Sequence, residues 1–407
     1  MQEFNILTLS NGIRFIHWRN SSKIAHCGVT INTGTRDELE NEHGLAHFIE
    51  HVIFKGTTHR KAYHIISRLE DIGGDLNAYT AKEETCIYAS ILASDFERAA
   101  ELISDIVFNS TFPEKELARE KEVVFDEINS YKDSPSELIF DDFEEQVFEG
   151  APIGRNILGT KKNLRMFDKA AILNFMQRTY NTDQIVFSSV GDIPFSKVKR
   201  VAEKYFGHIP SSLRGYNREP FDSYSPKQIE KHKSTYQAHC IVGNVAYDLK
   251  NDKRVALHLL TNVLGGPGMN SRLNLSLREK HGLAYNVEAS YAPYTDTGII
   301  SIYFGTDKNN IQKSLSIVNK ELAKLRDVKI SSLQLLKAKK QLIGQLAIAA
   351  ESNESQMLSI GKSLLIYNAV DSQEEVARKI SNVTAESLLE VANEIFAKEQ
   401  LSTLIFR

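Results

Sequence analysis

The chain is poor in the features that mark a stapled or membrane-borne protein. Its 407 residues include three cysteines, Cys27, Cys86 and Cys240. They lie far apart and form no CxxC pair, so neither a disulfide framework nor a cysteine zinc site is supported, and a reducing compartment is expected. No run of about 18 apolar residues is present to cross a bilayer. The opening segment MQEFNILTLSNGIRFIHWRN lacks the apolar stretch of a signal peptide, so a cytoplasmic location is expected. An excess of one charge is also missing: 49 Lys and Arg stand against 52 Asp and Glu, a net charge of -3. That balance gives no general positive field for nucleic acid or an anionic membrane. A chain that is 42% hydrophobic and 25% charged is an ordinary globular one. At roughly 100–200 residues per domain, two or three domains are expected.

What is present reads as alternating strands and helices. Asn11-Gly12 lies between alternating apolar segments at 4–9 and 13–18, a hairpin signal. A strand is expected over 25–33, a helix over 45–54 and another near 62–72. Gly73-Gly74 then breaks the chain before strands near 75–81 and 84–92. A helix at 95–108 precedes Pro113, which can open the long helix EKELAREKEVVFDEINSYK. Residues 206–230 combine proline, glycine and serine with no apolar period and read as a linker. Beyond it the pattern repeats. Ala25-His26-Cys27 returns as Ala238-His239-Cys240, and strand 84–92 has a counterpart at 297–304, an offset near 212. The expected fold is therefore α+β. It has two homologous α/β sandwich domains of mostly antiparallel sheet flanked by helices, at 1–208 and 231–407, joined by a linker at 209–230. The apolar stripes at 310–327 and 331–350 are expected to be core faces.

Chemistry concentrates in His47-Phe48-Ile49-Glu50-His51. Residues four apart share a helix face, so both imidazoles can reach one ion, and Glu50 sits on the same face, beside the metal's water rather than on the metal. Zinc takes neutral imidazole, and a catalytic site needs a third protein ligand. The candidate is Glu127 on the long helix, two turns from Glu120 on a face that includes Val123, Val124 and Ile128. A carboxylate on an apolar stripe is costly unless it is paired or bound to metal. Glu120 could hold a ligand imidazole through its free N–H. At the repeat offset His47 falls opposite His258, but Glu50 and His51 fall opposite Thr261 and Asn262, so the second copy lacks the metal motif. His43 also lies four residues from His47, but the turn around Gly44 sets it ahead of the helix.

The segments GLAHFIEHVIFKGT (44–57), GGDLNAYTAKEETCIYA (73–89), EKEVVFDEI (120–128) and GGPGMNSRLNLSLREKHGLAYNV (265–287) together resemble the inverted-zincin metallopeptidases of family M16. This is the pitrilysin and insulin-degrading enzyme clan, and in size the chain resembles its small bacterial subfamily related to the mitochondrial processing peptidase. The resemblance implies one Zn2+ per subunit, held by His47, His51 and Glu127, with Glu50 as general base and Glu120 supporting the site. It further implies that Asn77 and Ala78 lie on an edge strand that takes substrate as an added β-strand. Arg278 and Tyr285 match a pair that the family contributes from the opposite half of a clam-shell chamber. Two domains make half of such a chamber, so the resemblance implies a homodimer, or a heterodimer with a paralogue, cleaving short unfolded peptides. The rival reading is a non-catalytic peptide-binding or assembly subunit of the same fold.

Overall fold

The computed structural model describes residues 3–407. The first half of the chain forms β1 (Phe4–Thr8), β2 (Arg14–Arg19), β3 (Ile24–Ile31), α1 (Leu45–Val52), α2 (Ala62–Glu70), β4 (Asp75–Thr80) and β5 (Thr85–Leu92). It continues as α3 (Phe96–Asn109), α4 (Glu114–Lys132), α5 (Pro135–Val147), α6 (Lys161–Met166), α7 (Lys169–Thr179), β6 (Ile185–Gly191) and α8 (Phe195–Phe206). The second half forms β7 (Gln228–Lys231), β8 (Ala238–Ala246), α9 (Arg254–Gly265), β9 (Ala284–Pro293) and β10 (Gly298–Thr306). It ends with α10 (Ile311–Asp327), α11 (Ser332–Ala349), α12 (Asn353–Tyr367), α13 (Gln373–Ser381), α14 (Ala385–Ile395) and β11 (Ser402–Phe406).

The two sheets carry the repeat. Their strand orders are β1-β2-β6-β3-β5-β4 and β7-β11-β8-β10-β9. Apart from β1, each strand of the first has its counterpart at the same place in the second. All pairings are antiparallel except β2 with β6 and β7 with β11, which are parallel in both copies. The Asn11-Gly12 turn closes the β1–β2 hairpin, pairing Phe4 with Trp18 and Thr8 with Arg14. Central strands β6 and β10 are buried along their whole length, because helices cover both faces of each sheet.

The fold class is as the sequence predicts; the division into domains differs. Contacts group the chain into two discontinuous units. Unit 1 is 1–129, 155–218 and 349–372; unit 2 is 130–154, 219–348 and 373–407. The contiguous division at 1–208, 209–230 and 231–407 misses two helices. In unit 1, α12 lays Met357, Ile360 and Leu364 on Ile16, Val186 and Val190 of the sheet. In unit 2, α5 lays Ile139, Phe143 and Val147 on Ile241, Leu404 and Phe406. An amphipathic helix covers whichever apolar sheet face is open, and sequence neighbourhood does not decide which one that is. The first part of the expected linker, as far as Arg218, stays with unit 1 because Arg214 and Arg218 pair with the buried Asp37. Helix α10 buries Val318, Leu322 and Leu325 as expected. Helix α11 gives a narrower core face than expected: Ala338 is buried, with the half-buried Leu335 and Leu342 packed against the same core, but Leu333, Leu336 and Ile348 stay exposed.

Candidate metal centre

Helix α1 is only eight residues long, and its apolar residues Leu45, Phe48, Ile49 and Val52 are sunk in the unit 1 core. Its N-terminus is closed from outside the helix. The Glu38 carboxylate accepts hydrogen bonds from the backbone N–H of Gly44 (2.9 Å) and Ala46 (2.8 Å), donors that a helix start leaves without partners. Burial pushes the Glu38 carboxyl up to about 8. Gly44 itself has φ 96° and lies against Gly159, where a Cβ would come within 2.7 Å of the Gly159 Cα. His43 sits before the helix, as expected, with its Nε2 at 2.9 Å from the Asn156 carbonyl.

The anchored helix faces α4. His47 Nε2 lies 3.7 Å, and His51 Nε2 3.3 Å, from Glu127 Oε2. The two imidazole rings are 4.8 Å apart and inclined at 74°. His47, His51 and Glu127 each offer one ligand atom, and all three atoms lie within 4.8 Å of one another. On the other side of His51, Nδ1 is 3.6 Å from Glu120 Oε2, and Lys55 Nζ holds Glu120 Oε1 at 2.8 Å. On α4, Val124 and Ile128 are buried, whereas Val123 is half-exposed.

Two observations test whether a divalent cation fits. Glu127 Oε2 is buried without a hydrogen-bond partner among the described residues. A buried, unsatisfied carboxylate oxygen costs about 1–3 kcal/mol or more unless something charged meets it. The donor set is also right: burial, and then the neighbouring His51, lowers His47 to about 3, so its imidazole is neutral, the form that ligates metal. His47 Nδ1 likewise has no partner among the described residues. The group fits a two-His, one-carboxylate site.

Glu50 points from the same helix towards Thr80 at the end of β4. Burial raises its pKa, with Thr80 and His51 pulling it back and the Glu127 charge adding to the rise. Strand β4 ends the sheet, so its outer edge carries no strand among the described residues. It includes Asn77 and Ala78, paired inward with Tyr88 and Ile87; the Asn77 side chain donates to Asp75 at 2.6 Å. Arg278 and Tyr285 belong to unit 2, where the guanidinium sits 4.9 Å above the phenol ring and Tyr285 is 79% exposed. Sequence reasoning missed Glu38 and Lys55. Lys55 follows His51 by one helical interval and could have been found by extending the stripe; Glu38, which caps from a separate turn, leaves no periodic signal.

Residues 14–161 match the model of the insulinase family, peptidase family M16, and residues 167–342 match the peptidase M16 inactive domain. The chain is 34% identical to the uncharacterized zinc protease YmxG of Bacillus subtilis, over 98% of this chain and 97% of that one. The chain belongs to peptidase family M16. An uncharacterized zinc protease of Rickettsia felis is 32% identical, over 99% of this M16 chain and 98% of that one. A protease from Helicobacter pylori shares the M16 fold with a TM-score of 0.91 at 22% identity, covering 100% of both chains. His47, Glu50, His51 and Glu127 fall in the first M16 match. The second covers α9, where the buried Thr261 and Asn262 stand at the repeat positions of Glu50 and His51. No helix among the described residues is long and apolar enough to cross a membrane.

Proposed function

We propose that this M16 member is a zinc-dependent endopeptidase acting on short unfolded peptides, with one zinc ion per subunit. The observation that carries the reading is the convergence of His47, His51 and Glu127, from two helices, beside the half-buried Glu50. Zinc held by these three side chains would supply Lewis acidity and make water more acidic. Glu50 accepts a proton from the attacking water at its carboxylate and passes it to the departing amine nitrogen. A carboxyl with a raised pKa suits a group that must both take up and release a proton near neutrality. Glu120, braced by Lys55, orients His51 through its Nδ1. Asn77 and Ala78, on the free edge of β4, give a peptide backbone a strand to pair with, a mode that requires the substrate to be extended.

We further propose a homodimer, in which the partly exposed Arg278 and the exposed Tyr285 of a second copy donate hydrogen bonds to the substrate carbonyl or backbone. A heterodimer with a paralogue would serve the same geometry. Three buried free thiols suit a cytoplasmic setting.

Metal content and cleavage of a quenched peptide, with and without chelator, test the enzyme reading. Glu50→Gln is expected to retain zinc and peptide binding and to lose turnover by about 10²–10⁴-fold. Wild-type turnover in that variant would refute the mechanism. Mixing Arg278→Ala with Glu50→Gln subunits tests the dimer: a mixed dimer regains one complete site, and no recovery of activity would overturn the sharing.

A further inference from the structure

Among the described residues strand β4 is bonded on one side only, so the register it offers to a peptide depends on how its ends are held. The turn after it, residues 81–84, is fastened from outside the hairpin. Backbone N–H groups of Thr35 and Arg36 donate to the carbonyls of Ala81 (3.1 Å) and Lys82 (2.8 Å). Arg218 Nη2 donates to the Glu83 carbonyl at 2.9 Å, and Arg36 Nη1 to the Glu83 carboxylate at 2.7 Å. Arg218 is itself fixed by Asp37, which accepts its Nε at 3.0 Å and its Nη2 at 2.7 Å. Asp37 is fully buried and the Arg218 side chain is 9% exposed. From α12, Lys362 Nζ donates to Glu84 at 2.9 Å, and the same carboxylate oxygen accepts from Tyr79 OH, within β4, at 3.1 Å.

This is more fastening than a tight turn needs, and it converges on the one strand of unit 1 that lies beside Glu50 with its outer edge unpaired. We propose that Arg218 and Lys362 are positioning residues that preorganise β4 as the template for an incoming peptide. Neither touches the peptide; each acts through the turn. Preorganisation lowers the entropy lost when peptide and strand pair, so its loss weakens binding before it slows chemistry. The inference rests on the edge-strand reading proposed above.

The test uses the full chain with zinc bound. Arg218→Met is expected to speed amide exchange over residues 75–84 by about tenfold, with β3 and β6 unchanged. It should raise KM by about tenfold while kcat and zinc content stay within about twofold. Arg218→Lys, which cannot form the paired contact, should fall between. Lys362→Met, at a more exposed contact, should give the same pattern at smaller amplitude and stands in if Arg218→Met does not fold. Unchanged exchange over 75–84, exchange raised evenly through unit 1, or equal losses in kcat and zinc would each overturn the proposal. If the wild type neither holds zinc nor cleaves peptide, the peptidase reading fails instead, and the exchange data still decide whether the turn is what holds the strand.

Discussion

Replacing Glu120 by Gln gives the sharpest test of how the metal centre is built. The carboxylate is largely buried, 3.6 Å from His51 Nδ1 and 2.8 Å from Lys55 Nζ. Two full charges about 4 Å apart at an effective dielectric near 20 interact by about 4 kcal/mol, an upper bound here. His51 would bear only a fraction of a unit charge, and Lys55 offsets part of the field of Glu120. What remains is about 1–3 kcal/mol, equivalent to a loss of about 10–100-fold in zinc affinity. Lys55→Met should weaken zinc binding less, because Glu120 remains although it is no longer held. In the double variant the lysine has nothing left to orient, so its effect should nearly vanish, a coupling of about 0.5–3 kcal/mol. Competition with a chromophoric chelator measures each affinity, and thermal melts in excess chelator check that the apo fold is intact. Wild-type affinity in Glu120→Gln, or strict additivity in the double variant, would refute the relay from Lys55 through Glu120 to His51.

Other outcomes follow from packing and burial. Gly344, in α11, has no heavy atom of the described residues within 4 Å of a built Cβ, so Gly344→Ala should stabilise by about 0.5–1 kcal/mol. In α12 a Cβ on Gly361 would come within 2.8 Å of Ser188 Oγ and 3.2 Å of Thr30 Oγ1, on the sheet beneath. Gly361→Ala should therefore lower the melting temperature, overpacking of about 1–3 kcal/mol outweighing the helical gain; a rise equal to that of Gly344→Ala would contradict the packing. Desolvation by its packed surroundings, then Arg254, holds His258 down to about 4, although the residue keeps an exposed side. Folded protein then binds fewer protons than unfolded between pH 4 and 6.5, so this contribution to stability is complete above 6.5 and is lost as pH falls towards 4. The ring is exposed to solvent, and screening reduces the 1.36 kcal/mol per pH unit to a total of about 1 kcal/mol. His258→Phe, which keeps a ring against Tyr291, should flatten the fall in denaturation midpoint over that window.

The part of the centre most legible in sequence was the part confined to one helical turn. His47, Glu50 and His51 are tied together by helical period alone, and the repeat offset correctly aligned the motif helix with α9. Glu127 needed the resemblance as well as its stripe, because nothing in local periodicity says which face of α4 meets α1. The exchange of α5 and α12 was illegible for a related reason: an apolar stripe records that a helix is covered, not by what. The segment read as linker holds Arg214 and Arg218, whose partner Asp37 lies too far off in the chain for any local pattern to reveal. In helix α11 the leucines implied a broad buried face, but only Leu335 and Leu342, beside Ala338, meet the core among the described residues.

The distant origin of α12 bears on how the protein is made. While a ribosome extends the chain, Ile16, Val186 and Val190 emerge long before Met357, Ile360 and Leu364, their eventual cover. At about 5–20 residues per second, the roughly 160 intervening residues take on the order of ten to thirty seconds to synthesise. Throughout that interval an oily face of the nascent sheet stands open to water, a natural landing place for chaperones and a hazard wherever translation stalls.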